Sequence, residues 1–212
     1  MSGYRRRFIM ARPRKADRDA MATVRIEDAF WKLLGEMSYS DITVLRISQE
    51  SGTNRNSFYY HYKSIDDLAR SAFMNNVDTE VSGVLFSALL SGADADNNGT
   101  APVFGTELLI HARRIMLCAG SDSSFLNRLV KDLLIRVWFD ALEIDASALS
   151  SEEHLQVDFI FSGLVSVLGR PEVKDSPLIM SDFSRTEIGK AAITTMKRIS
   201  ENQCNAKERA VL

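Results

Sequence analysis

The sequence predicts an all-α fold of about nine helices, a small amino-terminal three-helix head followed by a larger helical body. Three observations carry this expectation. Apolar residues recur at intervals of three and four along most of the chain, which is the period of one helical face. Proline, which breaks helix interiors, occurs only 4 times in 212 residues. Residues 43–68 hold two short periodic segments punctuated by cap residues and a glycine.

That stretch organises the head. Thr43 can cap a helix whose Val44, Ile47 and Ser51 share a face, with small Ser48 admitting a close neighbour. Gly52 ends it, since a residue without a Cβ takes the left-handed conformation cheaply. Asn54 is a fresh cap, and Phe58 and Tyr62, four residues apart, turn one face of the next helix inward. The other face carries Arg55, Asn56, Ser57, Tyr59, Tyr60 and His61, nearly all hydrogen-bond donors. Ser64 then opens a third helix in a Ser-x-x-Asp arrangement with Asp67. The pattern is a helix-turn-helix with its recognition helix at 54–60. Arg55, Asn56 and Ser57 are expected at base edges, the bland alternative being a solvated helix surface. Thr43, Tyr59, Tyr60, His61 and Lys63 are assigned to phosphates, and the cap Asn54 completes the DNA-binding set.

The order Thr43-Val44, Ile47-Ser48, Ser51-Gly52-Thr53-Asn54, Ser57-Phe58-Tyr59-Tyr60-His61-Tyr62-Lys63-Ser64 and Leu68 resembles the DNA-binding domain of TetR/AcrR-type transcriptional regulators. The resemblance covers about a quarter of the chain. Asn56 stands where that family usually has glycine, and Asn54 replaces a common serine. Ile65 stands where a lysine commonly meets a phosphate, a contact that Lys63 could supply instead.

Charge is unevenly placed. Residues 1–76 hold 13 Lys/Arg against 9 Asp/Glu, a balance of +4, and the remainder holds 13 against 19, a balance of −6. A basic front and an acidic body fit one end that meets nucleic acid and one that does not. The first 18 residues form a basic arm in which Arg12 and Arg14, with Arg5, Arg6 and Arg7, could track phosphates, the alternative being a solvated tail. Met10 reads as an alternative start. Cys118 and Cys204 make no disulfide framework or metal-ligand spacing, which fits a reducing cytoplasm. The longest apolar run, Phe159 to Gly169, is too short to span a bilayer, so no membrane partner is expected.

Helix 1 is expected over 17–37, with Met21, Val24, Ile26, Phe30, Leu33 and Leu34 along one stripe. The head's last helix is expected to run on towards Asn76, followed by a helix at 77–90 and a turn-rich loop from Ser91. Body helices follow at about 103–119, 124–143, 151–169 and 182–202. The third of these is apolar all round, so part of its cover is expected from a second subunit. Phe159, Ser162, Gly163 and Ser166, with Ile188, Ala192 and Met196 of the last helix, are the expected homodimer interface, a position the resemblance also implies. Phe86, Phe104, His111, Met116 and Trp138 could line a pocket for a small-molecule effector, or simply fill the core. His111 and His154 stand apart from cysteine, and no Gly-rich phosphate loop, nucleophile elbow or His-Glu-x-x-His occurs, so neither enzyme, metal nor cofactor is expected. The domain boundaries follow: an arm at 1–18, a DNA-binding head at 19–63 and a regulatory and dimerisation body at 64–212. The expected function is an operator-binding regulator, a repressor released by an effector. Alternatives are a sequence-tolerant DNA-binding protein without effector, or a helical small-molecule binder with a decayed motif.

Overall fold

The computed structural model describes residues 15–76, 106–174 and 185–211, and within them every regular element is helical. The head, taken past the expected boundary at 63 to include the helix that packs on α1, comprises α1 (Lys15–Glu36), α2 (Val44–Ser51), α3 (Arg55–His61) and α4 (Ile65–Asn76). The body comprises α5 (Thr106–Ala119), α6 (Ser124–Ala141), α7 (Ser151–Leu168), the single turn α8 (Pro171–Lys174) and α9 (Glu187–Val211). Two 3-10 turns, Tyr39–Asp41 and Ala146–Ala148, join α1 to α2 and α6 to α7. The helix expected at 77–90, its loop, and Arg12, Arg14, Phe86 and Phe104 lie outside the described residues.

Local chemistry sets the helix ends. Thr43 accepts from the Arg46 N–H at 3.3 Å and Asn54 from the Ser57 N–H at 2.7 Å, so each caps its helix through its own oxygen. Gly52 sits at φ 64°, ψ 26°, the left-handed turn expected of it. At the start of α4 the Asp67 N–H donates to Ser64 Oγ, while the Asp67 carboxylate reaches back to the Lys63 N–H. A full capping box of Ser150 and Glu153 opens α7.

Packing corrects the reading of α1. Its buried stripe is Ala22, Ile26, Ala29, Phe30 and Leu33, with Met21 and Val24 exposed. At 100° per residue those two fall on the far side of the helix from Ile26 and Phe30. The last helix extends to Val211, well past the expected 202. Gln203 anchors that extension, bonding both the N–H and the C=O of Asp145 at the α6–α7 connection. Head and body share one core, which runs from Phe30, Phe58 and Phe73 through Cys118 and Leu126 to Phe161 and Met196. No helix among the described residues is long and apolar enough to cross a membrane.

In the body, α7 closes on the end of α5. A Cβ at Gly169 would lie 2.5 Å from the Ala119 carbonyl oxygen and 2.8 Å from Gly120 Cα, both backbone atoms. Gly169→Ala should therefore destabilise the chain by about 1–3 kcal/mol, as overpacking does, read as a lower midpoint in urea denaturation. An unchanged midpoint would mean that the two helix ends part without cost.

Candidate nucleic-acid interface

The outer face of α3 is held by what its inner face buries. Phe58 is fully enclosed and Tyr62 nearly so, while Tyr59 and Tyr60 remain 60% and 66% exposed. Tyr62 is fixed twice over. Its ring lies 5.8 Å from that of Phe58, and its hydroxyl donates at 2.9 Å to the buried Glu27 carboxylate of α1. The same carboxylate oxygen accepts from Asn75 Nδ2 at 2.8 Å and lies 3.4 Å from the Ser71 hydroxyl, both on α4. One oxygen thus ties α1, the end of α3 and α4 together. Burial, then Glu27, hold the Tyr62 phenol well above the usual tyrosine range, so it stays a donor.

On that support the expected contact residues take the following places. Arg55, Asn56, Tyr59, Tyr60 and Lys63 are exposed, and Ser57 is half-buried at the first turn of α3. Thr43 and Asn54 are exposed too, although their side-chain oxygens cap helices. Each keeps a donor, since a hydroxyl that accepts retains its hydrogen and an amide that accepts through Oδ1 retains its NH₂. His61 is half-buried, with Nδ1 3.5 Å from Thr23 Oγ1. Thr23 gives its own hydrogen to the Asp19 carbonyl, so any hydrogen bond between the two comes from His61 Nδ1. Ile65 packs against the core, which accounts for an aliphatic side chain at the start of α4.

Sequence reasoning missed what joins this face to the body. Asp122, in the turn between α5 and α6, accepts from the Tyr39 N–H at 2.8 Å and the Ser40 hydroxyl at 3.1 Å, both in the turn before α2. These bonds, the Tyr39 N–H foremost, hold the Asp122 carboxyl below the usual aspartate range. Arg114 of α5 lies over the Trp31 ring at 5.1 Å, 3.6 Å from Asp28, and donates to Asn76. Arg70 of α4 stacks on Phe125 of α6 at 5.1 Å. Such pairs are distant in sequence and have no local signature.

The body sites are more mixed. Met116 and Trp138, expected beside a pocket, are core residues, and Trp138 meets Phe161 edge to face at 5.7 Å. His111 is half-buried, and its Nδ1 has no protein partner. An open groove of about 980 Å³ lies between α6 and α7, lined by Asn127, Arg128, Lys131, Asp158, Ser162 and Ser166 among others, and by none of His111, Met116 and Trp138. Among the residues expected at a subunit interface, Phe159, Ser162, Gly163, Ser166 and Ile188 are exposed and Ala192 is half-buried. Met196 departs from that expectation. It is fully enclosed in the chain's own core, beside the buried Ile193 and Ile199.

Residues 26–72, from within α1 to within α4, match the family model described as bacterial regulatory proteins, tetR family. The match spans less than a quarter of the chain and likens the helix-turn-helix region to the DNA-binding domain of that family. No curated protein matches it. A crystal structure from Pseudomonas aeruginosa PAO1, described as a "putative transcriptional regulator", aligns over 92% of this chain and 98% of its own. Its identity of 16% and TM-score of 0.37 are too low to bear on function.

The Glu27 knot is open to direct measurement. Tyr62→Phe keeps the ring and removes the donor, and should lower stability by about 1.5–3 kcal/mol, the worth of a hydrogen bond to a charged group. Chemical denaturation reads it. No change would mean that Asn75 and Ser71 satisfy Glu27 without Tyr62.

Proposed function

We propose that the chain is a homodimeric repressor that reads a roughly palindromic operator and is released by a small-molecule effector. The observation that carries the reading is the outer face of α3, where Arg55, Asn56, Tyr59 and Tyr60 stand exposed on a helix pinned from behind by Phe58 and Tyr62. Arg55 offers the paired donors that guanine accepts in the major groove, Asn56 offers the donor and acceptor that match adenine, and Ser57 can serve either base type. Tyr59, Tyr60 and Lys63, with Thr43 beyond them, position the helix on phosphates. Two heads related by a two-fold axis would meet successive grooves about 34–36 Å apart.

The body supplies the rest of the reading. Leu155 and Phe159 are 72% and 82% exposed on α7, and Ile188 is 73% exposed on α9. Apolar area of this kind contributes roughly 25 cal/mol per Å² when a second copy covers it. Effector binding would act through α4, which shares Glu27 with α1 and stacks Arg70 on α6, so that a shift of the body changes the pitch of the head. Selection from random duplexes tests the whole: one enriched palindrome is expected, and enrichment without a consensus would favour a sequence-tolerant binder.

Arg55→Ala should weaken operator binding by about 1–3 kcal/mol and relax preference at one base pair per half-site. Lys63→Ala should instead weaken all duplexes alike and reduce the salt slope by about one unit. Quantitative gel shifts across base variants and salt separate the two, and an unaltered base preference in Arg55→Ala would shift the recognition register.

The dimer has its own test. A Cβ at Gly163 meets nothing within 4 Å, so Gly163→Arg is tolerated by the single subunit. Sedimentation should show it monomeric at concentrations where the parent is dimeric, with the parent's helical circular dichroism and much weaker operator binding. A dimer of parental affinity would place the interface elsewhere.

A further inference from the structure

We infer that Leu45, on α2 and not on the recognition helix, is a specificity-determining residue that reads the 5-methyl group of an operator thymine. The inference rests on the DNA-binding reading above. Three observations lead to it.

The first is placement. Ile47, Ser48 and Ser51 of α2 face the core. Arg46 and Glu50 turn toward α1, Arg46 Nη1 lying 3.0 Å from Sδ of Met37, the residue after its end, and Glu50 pairing with Lys32 at 2.6 Å. At 3.6 residues per turn, Leu45 lies about 100° round the helix from Arg46, on the flank turned away from α1. Thr43, a phosphate-binding residue in the reading above, caps the same end of α2, and the chain passes from α2 through Gly52 straight into α3.

The second is chemistry. Leu45 is 45% exposed. Along α2 and α3 the other large exposed apolar side chains are Tyr59 and Tyr60, which carry hydroxyls. A lone aliphatic group on an otherwise polar DNA-facing surface gains nothing from phosphates or from base donors and acceptors. The third is what the groove offers. The thymine methyl is the one apolar group that an unmodified base pair presents in the major groove, so it is the partner a leucine can distinguish.

The test uses the full-length protein and the duplex it selects from a random pool. Each thymine is replaced in turn by uracil, which deletes the methyl group and keeps every hydrogen-bonding group. The parent protein should bind roughly fourfold more weakly per half-site at one position, the worth of one buried methyl. Leu45→Ala should bind the thymine and uracil duplexes equally, and Arg55→Ala should keep the difference while binding both more weakly. Because Leu45 is half out of the fold and alanine favours helix, the variant should fold as the parent does, which circular dichroism checks. Indifference of the parent to uracil at every position overturns the inference, as does a thymine preference that survives in Leu45→Ala. If no duplex is enriched at all, the DNA-binding reading falls and the inference with it, an outcome distinct from the other two.

Discussion

The head depends on a single carboxylate. Glu27 is buried on α1, and one of its oxygens is met by neutral donors from the end of α3 and from α4. Burying such a group is unfavourable unless its lone pairs are met, so the geometry that meets them is strongly preferred over any other. Tyr62 must stand at the end of α3 and Asn75 in the last turn of α4. With Phe58 already sunk in the core, the rotation of α3 is fixed, and the residues on its outer face point to solvent together. Packing alone tolerates a slide of a helix by a fraction of a turn. A three-element hydrogen-bond junction does not.

Much of the head was legible because its signals are local. Thr43, Gly52, Asn54 and Ser64 each act within four residues of themselves, and each stands where its chemistry placed it. Phe58 and Tyr62 were legible as inward-facing through their spacing. Glu27 was not, since a glutamate in an amphipathic helix looks like part of the solvated face until Tyr62 and Asn75 arrive from 35 and 48 residues away. The errors on α1 have a related cause. Met21 and Val24 are apolar and near the stripe in sequence, yet the angle that separates them from Ile26 puts them in water.

The body was legible as helices and less so as surfaces. The α7 helix reads as apolar all round, and the fold buries Val157, Phe161, Leu164, Val165 and Leu168 while leaving Leu155 and Phe159 outside. Which apolar residues a helix hides depends on where its neighbours cross it, and periodicity is silent when every face is apolar. Met196 shows the converse, a residue expected at a subunit interface whose direction is set by the packing of α9 on α7. Lys131 adds a polar example. It reaches across from α6 to Asp158 and Ser162, so one of the small residues of α7 is already engaged from within its own chain.

The shared core has a consequence for modularity. Leu68, Ala72 and Phe73 of α4 belong to the same buried cluster as Ile115, Cys118 and Leu126 of the body, and the Cys118 thiol is pushed up to about 12 by the dryness of that boundary. The turn before α2 hangs from Asp122, and Trp31 lies under Arg114. A head of this build is no interchangeable cartridge. A chimaera that grafts residues 15–76 onto a foreign body would need the underside of α5 and the first turn of α6 carried with it. During divergence, substitutions at Trp31, Tyr39 and Arg70 are therefore constrained by the body's sequence.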